Sequence, residues 1–445
     1  MDMSIFRAYD IRGIYGKTLT DNAMEDIGKA LAAFMRNRGL GRKVVVANDV
    51  RRSSPALSKA LKSGLASSGA EILDAGTTSF GLALFTGMRN ECVTAYVTAS
   101  HNPPEWNGLK LHRPDSVGFF EKDNKEVGRI AASNAFVEGN GSGRTVDMKD
   151  EYVAFMRSRF KMARRLKVVV DCGNGSTALV APEAFRAAGL DVVELFCNID
   201  PDFPGRGPDV KEEQHCKRLG EEVRAHGADL GVAFDGDGDR MAAVDENGRF
   251  IGADLMTVAF GREMLKAGHA KIVCNIDCSM LVERDLEPRG ATVMRIPVGN
   301  TYMMQQTNAM GAALGAESSQ HYVFPSYLPF DDGVVAGLKI AEMVSHADAA
   351  SSLFIGLSTL PRKMGELHCA DEEKTAVMKA AEELSKCYEC SAIDGIKISF
   401  DDGWGLMRPS NTSPSIRLTA EGTTDEAAKR IYAELSKIMG VACKQ

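Results

Sequence analysis

The chain has 445 residues, of which 44% are hydrophobic and 25% are charged, so its composition is that of a globular protein. Its formal net charge of −7 argues against a general nucleic-acid-binding protein. The sequence has no apolar run approaching the ~20 residues of a membrane helix. The N-terminus lacks the features of a signal peptide, and the 10 cysteines are scattered. We therefore expect a cytoplasmic protein with reduced thiols and with no nucleic-acid or membrane partner.

Predicted strands and helices alternate along most of the sequence. A helix is predicted at 21–36, where apolar residues recur at helical spacing, and a buried strand at 44–47. Ser54 and Pro55 then predict the start of a helix, with Ser54 as its N-cap. The strand-turn-helix pattern recurs from residue 167 and again from residue 271. This alternation predicts mainly parallel sheets with helices on their faces.

The pattern predicts an α/β protein of four domains. Three α/β domains of similar plan, with mixed or parallel sheets, precede a smaller C-terminal α+β domain. In that last domain, predicted helices at 372–386 and 424–439 flank several strands. The glycine-rich segment 139–143 is the clearest linker by composition. The expected domains are 1–145, 146–248, 249–362 and 363–445.

The loop 98–103 (TASHNP), here called the serine loop, presents a candidate nucleophile. An apolar, β-branched run at 92–97 leads into it and predicts a buried strand, which the prolines at 103 and 104 end. Ser100 is therefore held at a strand end with His101 beside it, a common position for catalytic groups. An isolated Ser-His-Asn is more often a polar turn, so this interpretation depends on three further loops.

The loop 235–240 (DGDGDR), here called the aspartate loop, places Asp235, Asp237 and Asp239 at alternate positions. Such a loop can turn three carboxylates toward one point, and hard cations prefer oxygen ligands of this kind. Without a cation, the three charges would repel one another. An EF-hand is improbable, because Arg240 stands where that loop needs glycine and the flanking segments are predicted strands. The loop therefore predicts a divalent-metal site rather than a surface turn.

Two later loops offer groups that suit a phosphorylated sugar. The sugar loop, 315–321 (GAESSQH), contains a carboxylate, hydroxyls and an imidazole, which can hold sugar hydroxyls in fixed directions. The phosphate loop, 408–414 (RPSNTSP), with Arg417 beyond it, combines guanidinium groups with hydroxyls and amides that can cradle a phosphate. Either loop alone could be a surface turn. With one such loop on each predicted domain, the sequence predicts a central cleft that four domains close around a phosphorylated sugar.

Together these motifs resemble the phosphohexomutase superfamily, and within it the phosphomannomutase/phosphoglucomutase branch. The serine loop, followed by 107–110 (NGLK), is similar to the family's active-serine loop, and the aspartate loop is similar to its metal loop. The segment 6–13 (FRAYDIRG) resembles the mannose/glucose branch more than the glucosamine branch. The resemblance covers nearly the whole chain.

The resemblance implies a role for each matching position. Ser100 would carry a phosphoryl group in the resting enzyme, and hexose 1,6-bisphosphate would be the intermediate and activator. The ligands of one Mg²⁺ per chain would be the phosphorylated Ser100, Asp235, Asp237 and Asp239. The acid, base and phosphoryl-steadying residues would be His101, Lys110, Arg12 and Arg240. The substrate-binding residues would be Tyr9, Glu317, Ser319, His321, Arg408, Ser410, Asn411, Thr412 and Arg417.

The expected activity is the reversible interconversion of hexose 6-phosphate and hexose 1-phosphate through a phosphoserine enzyme, which would be a monomer or a homodimer. Some loop residues depart from the family pattern: Ala316 and Gln320 stand where glycine is usual, and Ser413 stands where glutamate is frequent. These departures leave the choice of hexose open. The alternatives are a phosphoglucosamine mutase and a non-catalytic sugar-phosphate-binding protein of the same fold.

Overall fold

The computed structural model describes residues 1–268, 270–410 and 415–443, which form four domains around a cleft. Three of the sheets are mixed and carry helices on their faces, and the fourth is antiparallel. This confirms the predicted fold class of three α/β domains followed by a smaller α+β domain. Across the described ranges, none of the helices combines the length and apolar character needed to cross a membrane.

Domain 1 contains the sheet on which the serine loop is built. Its elements are β1 (Ile11–Ile14), α1 (Asp21–Asn37), β2 (Lys43–Asn48), α2 (Ser54–Ser67), β3 (Glu71–Thr77), α3 (Phe80–Arg89), β4 (Val93–Val97), β5 (Trp106–His112), α4 (Glu121–Ser133) and β6 (Ser142–Thr145). The strand order is β1-β5-β4-β2-β3-β6, with β4, β2, β3 and β6 parallel. Nearly every residue of β2 and β4 is buried, which explains their continuous apolar sequences.

Domain 2 carries the aspartate loop between two antiparallel strands, β9 and β10. Its elements are α5 (Lys149–Arg159), β7 (Lys167–Asp171), α6 (Ala181–Ala187), β8 (Asp191–Leu195), α7 (Lys217–His226), β9 (Leu230–Phe234), β10 (Met241–Val244) and β11 (Phe250–Ile251). The strand order is β11-β10-β9-β7-β8. The aspartate loop is therefore flanked by strands, which confirms that it is not an EF-hand.

Domain 3 carries the sugar loop between β14 and β15. Its elements are α8 (Ala253–Leu265), β12 (Lys271–Asn275), α9 (Leu281–Leu286), β13 (Thr292–Ile296), α10 (Asn300–Ala309), β14 (Leu314–Ala316), β15 (Tyr322–Val323) and α11 (Gly333–Ser345). The strand order is β13-β12-β14-β15, with β13, β12 and β14 parallel.

Domain 4 is an antiparallel sheet covered by two helices. Its elements are β16 (Arg362–His368), α12 (Lys374–Leu384), β17 (Cys390–Ser391), β18 (Ile396–Phe400), β19 (Gly403–Pro409), β20 (Ser415–Gly422) and α13 (Asp425–Ala442). The strand order is β16-β20-β19-β18-β17. Arg408 and Pro409, the first residues of the phosphate loop, end strand β19.

Two local predictions are wrong. Ser54 is the first residue of α2 rather than its N-cap, because its hydroxyl donates to the Asp49 carboxylate instead. The glycine-rich segment 139–143 is not a free linker, because β6 begins at Ser142 and pairs with β3. The domain boundaries stay predictions. Strand β11 lies just past the expected boundary at 248/249 but pairs with β10 of domain 2.

The main hydrophobic cluster joins domains 1, 2 and 3, and none of the described residues of domain 4 belongs to it. One continuous cluster of buried side chains runs from α3 of domain 1 through domain 2 to α11 of domain 3. Domain 4 has a core of its own, and it meets domain 3 through a small apolar cluster of Ile276, Trp404 and Leu406 and through polar contacts such as the Arg362–Asp254 ion pair. Parts of a protein with separate cores can move relative to one another. Domain 4 is therefore the part of the fold best suited to open and close the cleft.

Candidate active site

A cavity of about 480 Å³ lies where the four domains meet. Its lining includes residues within 7–12 and 100–112 of domain 1, Asp239 and Arg240, the segment 298–301, Glu317, Ser319, His321 and Arg417. A larger cavity, of about 720 Å³, lies within domain 1 and is lined by none of the predicted site residues. The cavity at the domain junction is therefore the candidate active site.

Ser100 is fixed at the end of β4 in an uncommon backbone conformation. Its φ of +51° lies in the left-handed region, which residues other than glycine rarely adopt. Its N–H donates to Thr98 Oγ1 at 2.8 Å, and its Oγ donates to Asp235 Oδ2 at 2.8 Å. Such strain persists only where the surrounding structure holds it, and it is frequent at functional sites. The structure thus brings the predicted nucleophile and the aspartate loop together.

Arg51 supports the serine loop, and the sequence analysis missed it. Its guanidinium donates to the main-chain oxygens of Ser100, Asn102 and Pro103 at 2.6, 2.7 and 2.7 Å. Its side chain is fully buried, as is that of Asp49, whose carboxylate pairs with it at 3.0 Å. Asp49 and Arg51 directly follow the buried strand β2. Because buried charges occur in pairs, this placement is the signal that could have identified them.

The aspartate loop turns three buried carboxylates toward Ser100. One oxygen each from Asp235, Asp237 and Asp239 lies within 4.8 Å of the other two. Burial and the charges of Asp239 and Asp237 raise the pKa of Asp235. Among the described residues, Asp237 Oδ1 is buried without a hydrogen-bond partner. Crowded carboxylates with an unpartnered oxygen fit a divalent cation that prefers oxygen ligands, such as Mg²⁺.

Lys110, on β5, pairs with the aspartate loop. Its Nζ donates to Asp237 Oδ2 at 2.8 Å and also contacts the Asp239 carboxylate. Burial opposes the charge, but the neighbouring carboxylates outweigh burial and raise the pKa of Lys110 above its ordinary value. Nζ also lies 4.6 Å from the centre of the Phe80 ring, at cation–π distance. Lys110 is therefore a fixed cation that can stabilise negative charge in the cavity.

His101 and Arg12 complete the surroundings of the serine loop. His101 Nδ1 lies 3.2 Å from Ser100 Oγ. Burial and the nearby cations Arg240 and Arg12 hold the pKa of His101 well below its ordinary value, so the ring is neutral at neutral pH. Arg12 Nη1 donates to Asn102 Oδ1 at 2.9 Å. A neutral imidazole beside the serine hydroxyl can accept a proton, which the cationic Lys110 cannot do.

The sugar loop meets the aspartate loop through His321. His321 Nε2 lies 3.2 Å from Asp239 Oδ1, and its Nδ1 lies 3.1 Å from Glu317 Oε2. Burial opposes protonation, but these two carboxylates outweigh it and raise the pKa of His321 to about 10. Ser319 Oγ donates to Glu317 Oε2 at 2.8 Å. A main-chain bridge between Arg240 and His321 holds the two loops side by side.

Gln320 shows the physical reason why glycine is usual at its position. Its φ of +71° lies in the left-handed region. Its side chain is buried, and both the amide nitrogen and the amide oxygen lack a hydrogen-bond partner among the described residues. Ala316, the other departure, lies in the regular strand β14. Gln320 therefore brings backbone strain and unpaired polar atoms where glycine would bring neither, whereas Ala316 fits its strand without strain.

Tyr9 lines the cavity and connects domain 1 to domain 3. Its Oη donates to the main-chain oxygen of Val298 at 2.5 Å. Burial raises the pKa of Tyr9, and the Asp394 carboxylate adds to the effect. The phenol therefore keeps its proton and acts as a hydrogen-bond donor.

Strands β19 and β20 place two predicted cations on one face of the domain 4 sheet. Arg408 in β19 and Arg417 in β20 are direct cross-strand partners, so their side chains stand on the same face. Arg417 lines the cavity. Ser410 is buried just beyond β19. The remaining predicted residues of this loop, Asn411 and Thr412, lie outside the described residues.

Four protein families match successive parts of the chain. They are phosphoglucomutase/phosphomannomutase α/β/α domain I at residues 3–138, domain II at 150–248, domain III at 252–357, and the C-terminal domain at 366–438. The matched regions together span most of the sequence.

Individual proteins of known sequence or structure are similar over nearly the whole length. A probable phosphoglucosamine mutase of Methanothermobacter thermautotrophicus is 36% identical over 439 residues, with 96% of each chain covered. A phosphomannomutase/phosphoglucomutase of Pseudomonas aeruginosa is 32% identical, with 96% of this chain and 94% of that protein covered. A solved phosphoglucomutase/phosphomannomutase family protein of Burkholderia thailandensis is 31% identical, with a TM-score of 0.92 and 99% and 98% coverage.

Proposed function

Because the chain belongs to the phosphoglucomutase/phosphomannomutase family of phosphohexomutases, which are isomerases, we propose that it is a phosphomannomutase/phosphoglucomutase. It interconverts the 6-phosphates and 1-phosphates of mannose and glucose through phosphoserine at Ser100 and a hexose 1,6-bisphosphate. The observation that carries this proposal is the contact of Ser100 Oγ with Asp235 Oδ2, 2.8 Å apart, in a cavity lined by all four domains.

Phosphoryl transfer starts from Ser100. The bond between phosphorus and Ser100 Oγ breaks, and a bond to the free hydroxyl oxygen of the bound hexose phosphate forms. His101 accepts the proton of that hydroxyl, since its imidazole is neutral and lies beside Ser100 Oγ. His101 then gives this proton to the serine oxygen, which lies 3.2 Å from its Nδ1, while Lys110 stays cationic and stabilises the developing negative charge. Arg12 and Arg240 stabilise the charge on the transferring group, which is the main contribution of protein to this chemistry.

The aspartate loop would hold one Mg²⁺. Asp235, Asp237 and Asp239 supply the oxygen ligands, and an oxygen of the phosphate on Ser100 completes the set. When bound, the metal supplies positive charge to the phosphoryl oxygens and neutralises the crowded carboxylates. The contacts of Lys110 with two of these carboxylates keep the triad in place for that role.

The other two loops hold the parts of the substrate that do not react. Glu317 and Ser319 bind sugar hydroxyls, and His321 fixes the orientation of Glu317. The second phosphate is bound by the phosphate loop, through Arg408, Ser410, Asn411 and Thr412, and by Arg417. Arg417 and Tyr9 both line the cavity.

The bisphosphate intermediate turns over inside the cleft, so that its other phosphate meets Ser100. Water has to be excluded during this step, because hydrolysis of phosphoserine would convert a mutase into a phosphatase. The separate core of domain 4 suits the opening and closing that release and recapture of phosphate require. Added hexose 1,6-bisphosphate activates the enzyme by phosphorylating Ser100. We also propose a cytoplasmic location, since the 10 cysteines are all free thiols. The expected monomer or homodimer stays a prediction.

A second candidate function is that of a phosphoglucosamine mutase. It is favoured by the relative from Methanothermobacter thermautotrophicus, which is 36% identical over 96% of each chain. The segment 6–13 favours the mannose/glucose branch instead. A non-catalytic sugar-phosphate-binding protein is disfavoured, because Ser100, Lys110 and the three aspartates are all present and in contact.

A coupled assay tests the proposal. It contains Mg²⁺ and a trace of hexose 1,6-bisphosphate and compares mannose 1-phosphate, glucose 1-phosphate and glucosamine 1-phosphate. Turnover of the mannose and glucose forms is the expected result. Turnover of glucosamine 1-phosphate alone would assign the chain to the second candidate, and no turnover of any of the three would contradict both mutase assignments.

A further inference from the structure

The main chain of Val298 joins domains 1, 3 and 4 at the cavity. Val298 lies in the loop between β13 and α10. Its carbonyl accepts a hydrogen bond from Tyr9 Oη of domain 1 at 2.5 Å, and its N–H donates to Asp394 Oδ2 of domain 4 at 3.0 Å. The N–H of the next residue, Gly299, donates to Glu317 Oε1 at 2.9 Å. This loop therefore connects the sugar loop with both neighbouring domains.

The same oxygen of Asp394 also faces the phosphate loop. Asp394 Oδ2 lies 3.5 Å from Arg408 Nη1, and 22% of the Asp394 side chain is exposed. Gly395 fixes this approach: its φ is +79°, and a Cβ there would lie 2.3 Å from the main-chain oxygen of Met407. The turn between β17 and β18 is thus pressed against β19 where the phosphate loop begins.

We propose that Asp394 is a positioning residue that fastens domain 4 to domain 3 and occupies Arg408 until a phosphate arrives. This inference rests on the proposed function of Arg408 as a phosphate ligand. The Asp394 carboxylate and a phosphate oxygen are anionic acceptors for the same guanidinium, so they compete for it. The bisphosphate intermediate has to leave Arg408 before it can turn, and a competitor already beside the guanidinium speeds that release.

The two contacts of Asp394 have separate purposes. The hydrogen bond to the Val298 N–H adds to the other polar contacts between domains 3 and 4, such as the Arg362–Asp254 ion pair, and it helps to keep the cleft closed at the cavity, which Val298 lines. The negative charge toward Arg408 limits how tightly the phosphate is held. A substitution that removes only the charge should therefore differ from one that removes both contacts.

Two variants separate these purposes. Asp394→Asn keeps an amide oxygen for the Val298 N–H but loses the charge. We expect the KM and the dissociation constant for glucose 6-phosphate to fall roughly two- to fivefold, the gain from removing one partly exposed competing charge, and kcat to fall as release slows. Asp394→Ala loses both contacts, so its activity should in addition need more added hexose 1,6-bisphosphate, because an open cleft loses the intermediate. Asp402→Asn is the matched control, an exposed aspartate of domain 4 that pairs with Arg430.

The dissociation constant is measured by calorimetry on the Mg²⁺-loaded protein, separately from turnover. A wild-type protein that binds but turns over none of the three hexose phosphates would overturn the proposed function, and the binding constants would still decide the role of Asp394. An Asp394→Asn variant with the dissociation constant of wild type would overturn the competition with phosphate. Identical dependence on bisphosphate in the Asn and Ala variants would overturn the fastening role of the hydrogen bond to Val298.

Discussion

The guanidinium of Arg51 donates to the main-chain oxygen of Ser100 at 2.6 Å, from a position where its side chain is completely buried. The same group also reaches the main-chain oxygens of Asn102 and Pro103. One planar cation thus fixes three carbonyls of the loop that carries the nucleophile. The left-handed backbone of Ser100 is held by this contact and by the hydrogen bond of its N–H to Thr98.

Replacing Arg51 by lysine should therefore disturb the nucleophile more than the fold. An ammonium lacks the planar fork that reaches several acceptors, so Arg51→Lys should lower kcat roughly tenfold to hundredfold through misplacement of Ser100. Arg52→Lys is the control, because the Arg52 side chain is 73% exposed and pairs with Asp202 only at the surface. Steady-state kinetics of both variants, with thermal unfolding to check folding, make the measurement. Wild-type kcat in Arg51→Lys would contradict the supporting role.

The aspartate loop should bind its metal through Asp237. Asp237→Asn removes one charged ligand, so Mg²⁺ should raise the melting temperature of wild type but raise that of the variant much less. Turnover should fall at least roughly a hundredfold, since removing one preorganised electrostatic group commonly costs that much. The control is Asp202→Asn, which removes a carboxylate that is 62% exposed. An equal Mg²⁺-dependent shift in wild type and Asp237→Asn would place the metal elsewhere.

Two single glycine substitutions in the sugar loop should have opposite effects on stability. Gln320→Gly relieves a φ of +71° and removes a buried amide without partners among the described residues, so it should stabilise the protein by about 1 kcal/mol or more. Ala316→Gly lies in a regular strand and should destabilise by roughly 0.5–1 kcal/mol. Chemical denaturation of both variants gives the comparison. If Gln320→Gly lowers the free energy of unfolding, the Gln320 side chain makes a contact that stabilises the folded protein.

His112 should make stability depend on pH. Burial lowers the pKa of this imidazole from 6.5 to about 3. Between these values the unfolded chain binds a proton that the folded chain does not, so the free energy of unfolding falls as pH falls below about 6.5. His112→Phe should abolish this contribution, on the order of 2 kcal/mol at pH 5 relative to neutral pH.

The measurement for His112 is the difference in unfolding free energy between wild type and His112→Phe at several pH values. The control is His226→Gln, because the His226 side chain is 48% exposed. As pH falls from 7 to 5, the free energy of unfolding of wild type should fall relative to that of His112→Phe. Relative to that of His226→Gln, it should not change. A difference that does not change with pH would mean that His112 has its ordinary pKa in the folded protein.

Contiguous motifs made the chemistry predictable from the sequence. The serine loop and the aspartate loop each carry their groups within six residues, and the apolar runs before them fixed their positions at strand ends. What the sequence did not reveal were contacts between distant segments. Arg51 reaches Ser100 across 49 positions, and Asp394 reaches Val298 across 96. No periodicity in the sequence encodes such pairs.

Main-chain pairing explains the two local errors. The segment 139–143 has the composition of a linker, but a strand needs only N–H and C=O groups, and β6 pairs with β3 although all four of its residues are exposed. Ser54 has the right side chain for an N-cap, but the buried Asp49 carboxylate competes for its hydroxyl. In both cases tertiary contacts outweighed the local preference.

The phosphorylation of Ser100 is the central claim, and tandem mass spectrometry tests it directly. The wild-type protein and Ser100→Ala are incubated with glucose 1,6-bisphosphate and Mg²⁺ and then digested. Our account predicts one phosphoryl group on the peptide that contains Ser100, lost again when excess glucose 6-phosphate is added, and neither phosphorylation nor turnover in Ser100→Ala. Mutase activity in Ser100→Ala, or a phosphoryl group that the wild-type enzyme carries and exchanges at another residue, would contradict it.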